Sequence, residues 1–288
     1  MISADQVKLL REKTGAGMMD CKKALTEANG DFDKAIEVLR KKGAAVAAKR
    51  AERSANEGLV LTHVSDDKKS AVMVEVNCET DFVAKSDDFK NFASMVLDTI
   101  VKEKPANLDE LLAVKHDGKP IAEELEALIG KIGEKIAITR FVIENSETGA
   151  VVDYVHHGSK LGVLVRADNI GNGDLNELTS ILKDVAMQVA AMKPLFTFRE
   201  EVPQTILDKE IDIYKELARK EGKPEQILDK IAQGKLNKYY QENCLNEQAF
   251  IKDNTKSVGE LFNEYNKKYS TNTRLVLFRR FHLSDENK

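Results

Sequence analysis

With 288 residues and 42 % hydrophobic content, the chain is long enough for two or three domains with ample cores. Its 48 acids slightly outnumber its 44 bases, for a net charge of −4, and the two signs are interspersed, which excludes a general nucleic-acid binder with a basic face. No window approaches the roughly 18 unbroken apolar residues of a membrane span, and Met1-Ile-Ser-Ala-Asp5 lacks a secretory pattern. Three isolated cysteines (Cys21, Cys78, Cys244) make neither a disulfide framework nor a zinc pair, so a soluble, cytoplasmic protein is expected.

Residues 1–43 read as a module of three short helices. Ser3 with Gln6 forms a capping-box pattern, and Val7 and Leu10 line the apolar side of the first helix before Thr14-Gly-Ala-Gly17 breaks it. A second helix runs from about Met18 to Ala28 and stops at Asn29-Gly30. Asp31 can cap the third, with Ala35, Ile36, Val38 and Leu39 inward and Gly43 as its expected end. Met18 and Met19, about 100° apart on a helix, are not expected to be equally buried. An exposed methionine beside a glycine-rich turn suits an adaptable protein contact; the alternative is that both pack on the rest of the chain. Residues 44–57, alanine-rich with Lys49, Arg50 and Arg53, read as a helical or partly flexible linker rather than a nucleic-acid arm.

An internal duplication follows. Gly58-Leu-Val-Leu-Thr-His-Val64 and Ala71-Val-Met-Val-Glu-Val-Asn77 flank a polar turn, and so do Gly149-Ala-Val-Val-Asp-Tyr-Val155 and Gly162-Val-Leu-Val-Arg-Ala-Asp168, offset by ninety-one residues without a gap. Gly58/Gly149, Val60/Val151, Val64/Val155, Lys69/Lys160, Val72/Val163 and Val74/Val165 are identical pairs. Each half reads as a β-hairpin. Each is followed by a helix whose apolar stripe has the same spacing: Phe89, Phe92, Ala93, Val96, Leu97, Ile100 and Leu178, Ile181, Leu182, Val185, Ala186, Val189. A further helix (Ile121, Leu125, Leu128, Ile129) and strand (Lys135–Ile143) complete the first copy, and Val258, Leu261, Phe262, Tyr265 with Leu275–Leu283 complete the second. Residues 202–243 are an insertion within the second copy, two amphipathic helices turning at Gly222-Lys-Pro224. Such a hairpin must project, and it commonly pairs with a second copy of itself. The fold class is therefore α+β: a helical module, core subdomains at 58–145 and at 146–201 with 244–288, and a helical hairpin.

The sequence carries no catalytic constellation, so no enzyme activity and no cofactor are expected. There is no phosphate loop, since Gly130-Lys-Ile-Gly133 lacks both length and hydroxyl. His156 and His157 lack supporting ligands and read as a hairpin-turn pair, with His157 on an interaction edge. What distinguishes the copies is the connection from hairpin to helix. The second has an ordinary glycine turn, Asn169-Ile-Gly-Asn-Gly-Asp174; the first has a loop, Cys78-Glu-Thr-Asp-Phe-Val-Ala-Lys85, before a Ser86 cap. Phe82 as core under the sheet edge is the competing reading. The other is a charged wedge, Asp81 beside an exposed ring, directed at another protein.

Two stretches carry a family resemblance over essentially the whole chain. Thr14-Gly-Ala-Gly-Met-Met-Asp-Cys-Lys-Lys-Ala-Leu25 with Glu27-Ala-Asn-Gly-Asp31, and Glu75-Val-Asn-Cys-Glu-Thr-Asp-Phe-Val-Ala-Lys85, resemble the two signatures of the elongation factor Ts family. The resemblance implies a ubiquitin-associated-like N-terminal domain, two α+β core subdomains and a coiled-coil dimerisation hairpin. It also implies guanine-nucleotide exchange on elongation factor Tu, in its GDP-bound and nucleotide-free forms. On this resemblance Thr80, Asp81, Phe82 and Val83 intrude beside the partner's magnesium site, Arg11, Met18 and Met19 touch its GTPase domain, and His157 faces it. Direct contact with nucleic acid or membrane is not implied. Some relatives continue into a further C-terminal helical segment; here only Ser284 to Lys288 follow the last strand, so that contact is expected to be missing. A binding scaffold without effect on nucleotide is the rival reading.

Overall fold

The Ser3 hydroxyl accepts the Gln6 amide while the Gln6 side chain accepts the Ser3 amide, so helix α1 (Ala4–Thr14) starts on the reciprocal cap its sequence encodes. It stops at Gly15, whose φ of 66° lies in the left-handed region that favours glycine. Helix α2 (Met18–Glu27) ends at Asn29 and Gly30, and α3 (Phe32–Arg50) begins on the Asp31 carboxylate, which accepts the Lys34 amide. Val7, Leu10, Cys21, Ala24, Leu25 and Ala35 form a small core between these helices. The computed structural model describes residues 2–285, so Glu286–Lys288 of the expected short tail lie outside the described residues.

Helix α3 corrects the expected stop at Gly43, since it continues to Arg50. An interior glycine costs a helix only about 1 kcal/mol relative to alanine, and packing outweighs that. A Cβ on Gly43 would lie 2.9 Å from the Glu126 carbonyl oxygen, and one on Gly130 would lie 2.9 Å from the Gly43 Cα. The two glycines let the α3 backbone touch that of α7 (Ile121–Ile132), and an Arg40–Glu123 ion pair of 2.7 Å flanks the crossing. Val46 and Ala47 then reach the core of the first sheet.

That sheet is antiparallel, with β1 (Glu57–Val64) beside β2 (Ser70–Cys78), which is central. Helix α4 (Asp81–Lys85) and α5 (Asp87–Glu103) follow, then α6 (Leu108–Ala113), a two-rung ribbon β3 (Lys115–His116) and β4 (Lys119–Pro120), and α7 (Ile121–Ile132). Strand β5 (Ile136–Asn145) pairs with β2 on its other side. The second half repeats this plan with β6 (Ala150–Val155), β7 (Leu161–Asp168), α8 (Leu175–Met192) and, after the insertion, α11 (Val258–Tyr269) and β10 (Arg274–His282). Leu61 opposes Val74 as Val152 opposes Val165, the same register ninety-one residues on. The stripe Phe89, Phe92, Ala93, Val96, Leu97 and Ile100 on α5 has its counterpart in Leu178, Ile181, Leu182, Val185, Ala186 and Val189 on α8, all buried except the half-buried Leu97 and Ile181. Each buried Phe, Val, Leu or Ile among them contributes about 1.5–3 kcal/mol by leaving water.

The repeated glycines have a common cause: a Cβ on Gly58 would collide with the Val76 carbonyl, and one on Gly149 with that of Ala167. The halves are also joined symmetrically. The Val60 amide donates to the Ser159 carbonyl at 2.7 Å, and the Val151 amide donates to the Lys68 carbonyl at 2.8 Å. Val60, Ala71, Met73, Val151, Leu164, Phe281 and Leu283 fill the space between the sheets.

The insertion is α9 (Gln204–Lys220) and α10 (Leu228–Asn243), whose base is closed by Val202, Leu236, Tyr240 and Cys244. A small ribbon, β8 (Ala249–Phe250) and β9 (Asp253–Ser257), leads to α11 (Val258–Tyr269) and to β10 (Arg274–His282), which pairs with β7. The architecture is α+β. No helix among the described residues is long and apolar enough to cross a membrane.

Candidate partner-binding site

The segment expected as a loop is a short helix. Strand β2 ends at Cys78, and Thr80 then caps α4 in an extended conformation, its hydroxyl accepting the Val83 amide at 3.4 Å. Ser86 closes α4 with a 2.7 Å bond from its hydroxyl to the Val83 carbonyl and also opens α5 by accepting the Phe89 amide. One residue thus serves two helices and makes the corner stiff. Ala84 is buried and Val83 packs on the core of the first half.

Phe82 points the other way and is 82 % exposed, which removes the reading of it as core. Leaving a phenyl side chain in water forgoes the roughly 1.5–3 kcal/mol that burial contributes. Asp81 lies beside it, paired with Lys85 at 2.6 Å one helical turn on. That hydrogen bond, aided by the charges of Lys85 and Lys160, holds the Asp81 carboxyl below its ordinary range, and Asp81 in turn raises Lys85. The tip therefore presents an apolar ring next to a carboxylate that stays ionised.

Behind the tip the polar groups are fully engaged. Glu134, just past the Gly133 stop of α7, accepts the Thr80 amide at 3.1 Å and the Thr80 hydroxyl at 2.8 Å. Glu79 accepts the Lys135 amide at 2.6 Å and both Arg50 and Arg53 at 3.1 Å. The Lys135 amide, followed by the two arginines, holds the Glu79 carboxyl below its ordinary value. The Lys135 ammonium donates to the carbonyls of Ala51 and Arg53, so the chain leaving α3 is tied down here. Arg50 and Arg53 thus serve the corner as ion-pair partners. Burial pushes the Cys78 thiol up to about 12, so it is a packed group donating to the Thr80 carbonyl and not a nucleophile.

The remaining predicted residues are all exposed. Arg11 lies near the end of α1, and Met18 and Met19 open α2 at 58 % and 63 % exposure. Their near-equal exposure departs from the expectation of unequal burial. Cys21, Ala24 and Leu25 make the inward face of α2, and its first turn carries both methionines clear of that face. The turn before them touches the core, since a Cβ on Gly15 would lie 3.0 Å from the Lys131 ammonium. Lys131 pairs with Asp88 at 2.7 Å in the first turn of α5, two residues beyond the Ser86 corner. His157 is exposed in the β6–β7 turn, whose Lys160 pairs with Glu57 at 2.6 Å and adds its charge near Asp81. Tyr154 and His156 hydrogen-bond to each other at 2.9 Å. Segments far apart in sequence are thereby connected to the corner that carries Phe82.

Glu134 and the Glu79 pairings are not legible in the sequence pattern. The signal for Glu134 was an acid between a helix-stopping glycine and an apolar strand, which by itself names no partner.

The sequence profile of the family described as "Elongation factor TS" matches residues 79–285. Proteins named "Elongation factor Ts" are similar along nearly the whole chain. That of Chloroherpeton thalassium is 46 % identical over 289 residues, covering 99 % of each chain. That of Clostridium perfringens is 48 % identical over 282 residues, covering 98 % of this chain and 92 % of its own.

The chain belongs to the elongation factor Ts family.

In this elongation factor Ts family member the matched span begins at Glu79, so α4, Glu134 and His157 fall inside it. Arg11, Met18 and Met19 precede that span, within the region shared with the full-length relatives.

Proposed function

We propose that this chain is a guanine-nucleotide exchange factor for elongation factor Tu, promoting GDP release by wedging Asp81–Phe82 beside the partner's magnesium and phosphate site during translation elongation. Membership of the elongation factor Ts family supports the role. The observation that carries the mechanism is the exposed Phe82 ring on a helix too short to move independently of its clamps. GDP is retained largely by phosphate contacts and by a metal bridging phosphate oxygens to protein groups. A ring driven between partner helices, with an ionised Asp81 competing for the polar groups nearby, shifts the elements that make those contacts. Each 1.4 kcal/mol removed weakens binding about tenfold, so losing the metal and a few phosphate contacts accelerates release by decades. Coupling is reciprocal, and nucleotide that rebinds expels the exchange factor. No bond chemistry is required of this chain.

Thr80 and Val83 seat the wedge, while Arg11, Met18, Met19 and His157 supply further contact with the partner. The same reading divides the chain into an N-terminal module (1–43), a linker (44–57), a first core subdomain (58–145), a second (146–201 with 244–288) and a dimerisation hairpin (202–243). The test is release of fluorescent GDP from elongation factor Tu, with wild type and with Asp81→Ala/Phe82→Ala. An off-rate unchanged by wild type defeats the exchange reading. A double variant as active as wild type defeats the wedge alone.

A further inference from the structure

We infer that Glu134 is a positioning residue for nucleotide exchange, acting through Thr80 to fix the direction in which Phe82 is presented; this rests on the exchange reading. Helix α4 spans five residues, Asp81–Lys85. One turn of helix does not hold itself together, because nucleation is unfavourable. Its geometry must be imposed from outside. Ser86 does so at the C-terminal end, and at the N-terminal end the anchor is the turn between α7 and β5. Gly133, with φ of 80°, stops α7 and sends Glu134 and Lys135 back toward the end of β2. The two oxygens of Glu134 then receive the amide and the hydroxyl of Thr80, at 3.1 and 2.8 Å. The Lys135 amide meets the Glu79 carboxylate at 2.6 Å. A side chain of one segment binds backbone and side chain of the other, and the backbone returns the bond on the adjacent residue. Thr80 is thus held before its hydroxyl caps α4, and Phe82 follows two residues later.

This arrangement separates docking from action. The exposed Met18, Met19 and His157 lie on other elements, whereas the Glu134 carboxylate accepts from Thr80. A ring pushed between partner helices must resist being pushed back, and a misplacement of about 1 Å can cost on the order of 100-fold in rate. Loss of the Glu134 clamp is therefore expected to lower the maximal rate of GDP release and to leave the concentration for half-saturation nearly unchanged.

The experiment measures fluorescent GDP release from elongation factor Tu against concentration for wild type, Glu134→Ala, Glu134→Gln, Thr80→Val and the double variant Thr80→Val/Glu134→Ala. Glu134→Ala is expected to lower the maximal rate about tenfold with half-saturation within about twofold; Glu134→Gln, which keeps one acceptor, is expected to fall between it and wild type. Because Glu134 binds the same hydroxyl that Thr80→Val removes, the double variant is expected to lose less than the product of the two single losses, although Thr80→Val also gives up the cap on the Val83 amide. Circular dichroism checks folding, and if Glu134→Ala does not fold, Glu134→Gln and Thr80→Val carry the same reading. An unchanged maximal rate, a loss confined to half-saturation, or multiplicative single effects overturn the positioning role while exchange by wild type stands. A wild type that does not accelerate release defeats the exchange reading and this inference with it.

Discussion

Gly43 and Gly130 meet where α3 crosses α7, so closely that a Cβ on Gly130 would lie 2.9 Å from the Gly43 Cα. The contact docks the N-terminal helices on the first half of the core. Gly130→Val is expected to force the helices apart, at a cost of about 1–3 kcal/mol, the range for overpacking. Thermal unfolding measures that loss. GDP-release titrations with the same variant are expected to show a raised half-saturation, because Met18 and Met19 are displaced relative to the core.

Phe82 and Phe89 separate binding from folding within one segment. Phe82→Ala removes an exposed ring and is expected to change stability by less than about 0.5 kcal/mol while reducing exchange at least about tenfold. Phe89 is fully buried, and Phe89→Ala is expected to cost about 3–5 kcal/mol. Denaturant melts and GDP-release rates on both variants check the pair.

Glu79 imparts a pH dependence of known sign. Its folded value lies below its ordinary 4.5, owing first to the Lys135 amide and then to Arg53 and Arg50. Above about pH 4.5 the carboxylate is ionised whether the chain is folded or not, and its contacts contribute in full. As pH falls through the lower folded value that contribution is lost. Glu79→Gln is therefore expected to be less stable than wild type by about 1–3 kcal/mol at neutral pH. The difference is expected to shrink as unfolding is measured progressively below pH 4.5.

On the inserted hairpin, Ile213, Leu217 and Ile227 are exposed. If residues 202–243 join two copies as proposed, Ile213→Asp/Leu217→Asp is expected to halve the mass measured by light scattering and to leave the circular dichroism spectrum intact. A wild type already of monomer mass removes the dimer.

Much of this fold is legible in local spacing. The alternation in β1, β2, β6 and β7 and the stripes on α5 and α8 report burial directly, because a residue's side depends on its position along its own element. Phe82 stood out since the twin corner, Asn169 to Asp174, turns without an aromatic. What escaped depends on partners distant in sequence. Glycine weakens a helix without ending it, so whether α3 stops at Gly43 or continues is decided only with α7 lying across it. The five-residue α4 is too short for periodicity to register. Glu134 looks like any surface acid until the chain folds back and sets it against Thr80, fifty-four positions away.

The paired bonds from Val60 to Ser159 and from Val151 to Lys68 have a consequence for stoichiometry. Two separate, identical subunits meeting this way would be bound to mirror every change, so a corner sharpened in one would be sharpened in both. Joining them into one polypeptide breaks that obligation. One corner could become a projection while its twin stayed a plain turn and the second half took on a helical arm instead. Each chain consequently offers one such projection.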